Sequence, residues 1–260
     1  MPHFLFPADP FQPREVDPKF ADQRAAFHSA GHPTSVCSDE ALAGLSMLRG
    51  IARDATVVYR GWMLAEAEYR RLTAAISRAA AVALTSPESY LTAHHLPNWY
   101  PQLAEFTPET RVYPADCDIV RELQRLDWDG FFLKDYVKSL KTSRGSLIER
   151  PDDAVALLQE MKHYRGEIEG GICLRRIESF VPDSERRFFV IQGTPFGSRH
   201  DETIPDVVRH AAERIASPFF SVDVTLRADG VLRIVEIGDG QVSDPVGWTT
   251  SRFVEIWKDV

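Results

Sequence analysis

Residues 219–240, FFSVDVTLRADGVLRIVEIGDG, constrain the fold of this chain more than any other stretch. Apolar and polar residues alternate on both sides of Asp229-Gly230, and an Asp-Gly pair between alternating runs is a strong short-range hairpin signal. A two-residue turn there sets Asp223 directly opposite Glu236. A four-residue turn from Arg227 to Gly230 keeps the two acids on one face as a diagonal pair, whereas one added bulge residue sends them to opposite faces. Like charges opposed across a ladder destabilise it. The pairing therefore calls for a cation between the carboxylates or an arginine beside them.

The rest of the chain alternates strand and helix patterns. The opening forty residues, rich in proline and polar groups from PADPFQPREVDP onward, predict an extended, irregular lead-in. ATVVYRGWM is a short β-branched run ending at Arg60, and residues 62–84 place Leu64, Leu72, Ala75, Ile76, Ala79 and Ala83 near one helical face. Strand then helix is an α/β beginning, and ligands gather beyond the carboxyl ends of such strands, where Arg60 falls. A surface charge at a turn is the plainer reading of Arg60. The following stretch carries five prolines between Pro87 and Pro114 and reads as a connection into a new domain near residue 110. Its adjacent His94 and His95 read as surface or capping histidines, because neighbours in a helix or strand do not converge on one metal.

From residue 129 the pattern carries more chemistry. In DGFFLKDYVKSL, period two places Phe132, Lys134, Tyr136 and Lys138 on one face and Phe131, Leu133 and Val137 on the other. Solvent-facing lysines on a half-buried strand read the same way. Lys141 and TSRGS follow, small residues that can turn backbone N–H groups toward phosphate, although a single glycine matches neither common phosphate-loop motif. RPDDAVALLQEMKHYR has proline and acids at its start and basic residues at its end, so it predicts a helix. GICLRRIESFV and ERRFFVIQGTPFG predict strands, the second placing Arg187 on a face with Phe189.

Composition removes several classes of function. A net charge of −8 and the lack of a basic run argue against a general nucleic-acid binder. Three cysteines, Cys37, Cys117 and Cys173, without CxxC spacing suit reduced thiols rather than disulfides or zinc. No apolar run of membrane-spanning length and no signal-like start occur, so the expected location is the cytoplasm.

The order of these motifs, a strand lysine, a small-residue loop, a helix, a strand ending near Glu178, an ExR strand and the acidic hairpin, resembles the nucleotide-binding half of the ATP-grasp superfamily. VVYRGWML, SPESYLTAHHLPNWYP and TPET are similar to the N-terminal region of a bacterial clade of small stand-alone members. The resemblance implies an α/β (α+β) fold: two lobes gripping the nucleotide, about 111–174 and 175–260, behind a small α/β domain at 1–110. It implies ATP and Mg²⁺ as cofactors. Lys134 and Lys138 would reach the nucleotide, Lys141 with Ser143, Gly145 and Ser146 would close over its phosphates, and Arg176, Ile177 and Glu178 would form the adenine and ribose hinge. Arg187 would face the transferred phosphoryl group, with Arg111 near a first phosphate-contacting position. Asp223 and Glu236 would bind Mg²⁺, with Asp239 replacing an asparagine that members usually carry where this chain has Gly238. The implied activity is ADP-forming carboxylate–amine ligation through an acyl phosphate; a nucleotide-binding pseudoenzyme and a phosphotransferase are the alternatives. Arg60 is the candidate for gripping the acceptor carboxylate, and Gln241, Ser243 and Asp244 for meeting the amine. Amino acids, peptides and proteins stand as substrates, a homodimer is compatible with the chain, and neither membrane nor nucleic acid is expected as a partner.

Overall fold

Four consecutive buried residues, His3 to Phe6, begin β1 (His3–Pro7). A computed structural model describes residues 1–137, 146–148, 150–165 and 168–258. In it β1 is an inner strand of a parallel sheet completed by β2 (Thr34–Cys37), β3 (Thr56–Tyr59) and β4 (Val82–Ala83) in the order β2-β1-β3-β4. A parallel strand covered on both faces reads as an unbroken apolar run. This corrects the expected irregular lead-in: Pro7 ends β1, Pro10 and Pro13 fall in the connection after it, and Pro18 opens a 3₁₀ turn leading into α1 (Ala21–Ser29). One sheet face carries Phe4, Phe6 and Val58 into an aromatic core with Phe27, Phe253 and Trp257. The other carries Leu5, Val57 and Tyr59. After the short α2 (Asp39–Leu42), α3 (Glu66–Arg78) covers that second face with Tyr69, Leu72, Ala75 and Ile76, the i, i+3, i+6, i+7 spacing of one helical stripe.

After α4 (Pro87–His94) and α5 (Leu96–Leu103), an antiparallel sheet forms from β5 (Thr110–Pro114), β6 (Phe131–Asp135), β7 (Leu147–Ile148) and β8 (Gly171–Arg176), in the order β5-β8-β6-β7. Two helices, α6 (Ile119–Gln124) and α7 (Pro151–Arg165), supply Ile119, Leu123, Leu157 and Met161 to a core against Leu133, Ile172 and Leu174. Register pairs Phe132 with Arg175 and Lys134 with Cys173, so these four share the sheet's other face. The apolar face anchors the sheet and leaves the polar face to carry chemistry.

A third sheet has the order β10-β9-β11-β12, formed by β9 (Arg186–Ile191), β10 (Thr194–Phe196), β11 (Phe219–Leu226) and β12 (Leu232–Asp239). Gln192 and Gly193, both at positive φ, close β9 onto β10 in a two-residue turn. The remaining helices are α8 (Asp206–Arg214) and α9 (Thr250–Glu255). The chain divides into two compact units built from separate segments: residues 1–93, 186–222 and 238–260 in one, and 94–185 with 223–237 in the other. The division differs from the expected linear boundary near residue 110, where Thr110 opens a strand inside the second unit.

Candidate active site

The acidic hairpin closes differently from the two-residue turn expected. Gly230 N–H donates to Arg227 O (2.8 Å) and Arg227 N–H to Val231 O (2.8 Å), with Gly230 at φ +88°. This is a four-residue turn followed by a glycine bulge, which pairs Arg227 with Val231. Continued regularly, that register puts Asp223 opposite Val235. At the strands' other end, however, Gly240 N–H donates to Phe219 O (3.1 Å), a register shifted by one residue. The extra residue is located by two consecutive carbonyls. Ile234 O accepts from Thr107 Oγ1 (2.8 Å) and Val235 O from Arg175 Nη1, although in a regular strand successive carbonyls point to opposite sides. A two-against-one bulge with Val235 and Glu236 opposite Asp223 satisfies both registers and both carbonyls. Asp223 and Glu236 are thus a cross-strand pair, because the bulge cancels the residue added by the turn.

Around this pair the second unit gathers cations. Lys134 on β6 is 4% exposed, and its Nζ lies 3.8 Å from Glu236 Oε1, whose side chain is 47% exposed. Burial corrects the solvent-facing reading of Lys134. At an effective dielectric constant of about 20 this separation gives roughly 4 kcal/mol of attraction before desolvation is counted. Arg175, buried on the same face, donates to Val235 O and Thr107 Oγ1 and lies over the Trp99 ring at 6.0 Å. Burial lowers its pKa to about 10, with Glu236 acting in the opposite direction. Burial likewise pushes the Cys173 thiol up to about 12, opposed by Lys134 and Arg175. Arg175 and Thr107 were missed in the sequence. An arginine closing the run ICLR, in phase with the buried Cys173, was the available signal.

Other expected residues have different employment. Glu178 accepts from Arg233 Nε (2.9 Å) and Nη2 (2.8 Å), with Arg227 Nη1 at 3.6 Å, so its carboxylate is committed to two arginines rather than open to a ribose. Arg176 and Ile177 are exposed beside it. Ser146 is buried, its carbonyl accepting from Leu133 N–H (2.8 Å). Arg111 is paired with Glu109 at 2.7 Å and lies across from Leu174, on the face opposite Lys134. His94 is buried and His95 Nε2 lies 3.2 Å from Glu169, which corrects the surface reading of His94. Lys138, Lys141, Ser143 and Gly145 lie outside the described residues.

In the first unit, Arg60 is 1% exposed and its N–H groups are taken by internal acceptors. Nη1 donates to Gly240 O and Ser243 O, while Nε and Nη2 donate to Gln23 Oε1, and the guanidinium covers the Phe253 ring at 4.6 Å. Burial lowers its pKa to about 10. A substrate carboxylate would have to displace these bonds. Asp239 is 0% exposed, with Oδ1 accepting from Gln241 N–H (3.0 Å) and Nε2 (3.1 Å) and Oδ2 buried without a hydrogen bond. Burial raises its pKa to about 7. Asp239, expected as a metal ligand, is thus a buried acid with one oxygen bonded to Gln241. Gln241 is spent on Asp239, Tyr59 N–H and Tyr69 Oη, so it is not free to meet an amine. A side chain at Gly238 would meet Ser243 Oγ at 2.9 Å and Ser221 Oγ at 3.1 Å, which explains why no asparagine stands there. Arg187 Nη1 donates to Asp244 O at 2.6 Å. Among the described residues no group of three or more His, Cys, Asp or Glu could hold a metal.

Solved structures share the fold. An ATP-grasp RimK domain protein from Sphaerobacter thermophilus is 15% identical, with 98% of each chain covered and a TM-score of 0.63. The ATP-grasp ligase PsnB, complexed with minimal precursor, Mg and ADP, is 13% identical, with 98% of this chain and 96% of PsnB covered and a TM-score of 0.58. The D-alanine-D-alanine ligase from Coxiella burnetii is 11% identical, with 94% and 88% covered and a TM-score of 0.62. None of the curated proteins matches the chain. Residues 125–260, more than half of the sequence, match the model of an ATP-grasp domain family, the third family of its clade. The chain belongs to that ATP-grasp family, and its fold is the ATP-grasp fold.

Proposed function

We propose that the protein is an ATP-dependent ligase that joins a carboxylate to an amine through an acyl phosphate. The observation that carries this reading is the cross-strand pair of Asp223 and Glu236 with buried Lys134 alongside. Two opposed carboxylates form a hard oxygen donor set, and a cation between them offsets their mutual repulsion. They fit Mg²⁺, which favours one or two carboxylates together with phosphate oxygens. When bound, the ion supplies charge stabilisation on the phosphate oxygens.

The protein's own residues supply positioning. Lys134, held by burial and by Glu236, offers a fixed ammonium to the nucleotide. Arg187 and Lys141 would offset charge on the transferring phosphoryl group, where fixed cations matter most. A carboxylate is a poor acyl donor because oxide is a poor leaving group. Transfer of the γ-phosphoryl group gives an acyl phosphate, and an amine displaces phosphate to form the amide. Among structural neighbours, PsnB is complexed with a precursor peptide and another is a D-alanine-D-alanine ligase, which favours amino-acid or peptide substrates. Three free thiols and the lack of a described helix long and apolar enough to cross a membrane agree with a cytoplasmic site of action. The test is ADP release on a panel of carboxylates with and without hydroxylamine. Carboxylate-dependent hydroxamate supports ligation. ADP with a stable phosphorylated product overturns it in favour of a kinase, and nucleotide binding without turnover across the panel overturns it in favour of a pseudoenzyme.

A further inference from the structure

The bulge that pairs Glu236 with Asp223 is held from outside its own sheet. Thr107 Oγ1 donates to Ile234 O at 2.8 Å and accepts from Arg175 Nη2, and Arg175 Nη1 donates to Val235 O. The two carbonyls that the bulge turns out of the ladder are therefore the two that this clamp captures. Left unpaired, each would lose the hydrogen bond that a buried carbonyl needs, so the clamp removes the main penalty against the bulged register. Both clamp residues are themselves buried, and Arg175 stacks over Trp99 rather than facing open solvent. Without the bulge, the turn register at Arg227 and Val231 carries on to put Val235, not Glu236, opposite Asp223.

We infer that Arg175 and Thr107 are positioning residues for the metal site: they clamp the β12 bulge at Ile234 and Val235 and so aim Glu236 at the cation that Asp223 binds. The inference rests on the ligase reading above. Neither residue touches the ion; each acts through a backbone carbonyl. A groove that only needed a positive charge near Glu236 would be served by lysine at position 175, whereas two-point capture requires the planar guanidinium fork.

The experiment is Mn²⁺ binding, read by electron paramagnetic resonance, to the full chain with ADP present. Thr107→Val is close to isosteric but cannot donate to Ile234 O, and its Mn²⁺ dissociation constant should rise about 10–100-fold, the usual effect of losing a partner outside the ligand shell. Thr107→Ser keeps the hydroxyl and should bind as the wild type does, and Arg175→Lys should weaken binding like Thr107→Val. A purely structural role would lower the melting temperature of all three variants without separating Val from Ser in metal affinity. Wild-type affinity in both folded Thr107→Val and folded Arg175→Lys overturns the clamp and leaves the ligase reading standing. Failure of the wild type to bind Mn²⁺ with ADP overturns both.

Discussion

Lys134 is a buried ammonium rather than a surface one, and that changes what its removal does. Its Nζ approaches Glu236 at 3.8 Å, but Glu236 is half-exposed and water can solvate it once the partner is gone. Lys134→Met keeps the unbranched stem and drops a desolvated charge, so stability should change by less than about 1 kcal/mol. ATP affinity should fall at least tenfold by calorimetry, and an unchanged affinity would return Lys134 to a packing role. Asp239 makes the opposite kind of statement. Its carboxyl is held neutral by burial up to a pKa of about 7, above the unfolded value. Between about pH 4 and pH 7 the folded state therefore binds more protons than the unfolded state, and stability falls as pH rises through that window. Asp239→Asn cannot ionise, so the variant's urea midpoint, set against the wild type's, should rise progressively between pH 5 and pH 7. Parallel pH profiles would show that Asp239 is charged throughout.

At the scale of elements, the β11–β12 hairpin depends on two compensating irregularities. Gly230 at φ +88° permits the turn that adds one residue, and the bulge at Val235 absorbs it. Asp223→Asn keeps the size of the side chain and removes one of the two carboxylates of the resulting pair. Turnover should be abolished and the stabilisation by Mg²⁺ with ATP lost in the folded variant. A variant that keeps both turnover and the full Mg²⁺-ATP thermal shift would show that the opposed carboxylates meet some other need.

Across the whole molecule the chain passes between its two compact units four times, so neither unit is a contiguous piece of sequence. In the first unit Phe4 and Phe27 pack against Trp257 and Phe253, at 5.1 and 6.1 Å between ring centroids, which ties residues near both ends of the chain into one core. A fragment of residues 1–110 would leave those rings without their C-terminal partners. Each such aromatic buries about 150–250 Å², and losing several such contacts exceeds the margin by which small domains are stable. The fragment should show no cooperative thermal transition and should bind a hydrophobic dye. A sharp transition in circular dichroism would restore the linear boundary near residue 110.

Local pattern was enough to establish the hairpin, the α7 helix, the face of α3 that meets the sheet, and the lysine strand, because period and capping chemistry are written within a dozen residues. It also brought Asp223 and Glu236 together, though by way of a tight turn that the chain does not make. Tertiary structure decided the rest. β1 is too short to stand out against its proline-rich neighbours and is a strand because β2 and β3 flank it. Arg60 and Asp239 look like site residues at strand ends, but the Arg60 donors are taken by Gln23 and the carbonyls of Gly240 and Ser243, and Asp239 Oδ1 is taken by Gln241. Glu178 is taken by Arg233, 55 residues away in sequence. The clamp on the bulge needs Thr107, Arg175 and Val235 from three distant segments. A polar residue's role depends on which partner satisfies it, and a buried hydrogen bond between segments far apart in sequence leaves no period behind.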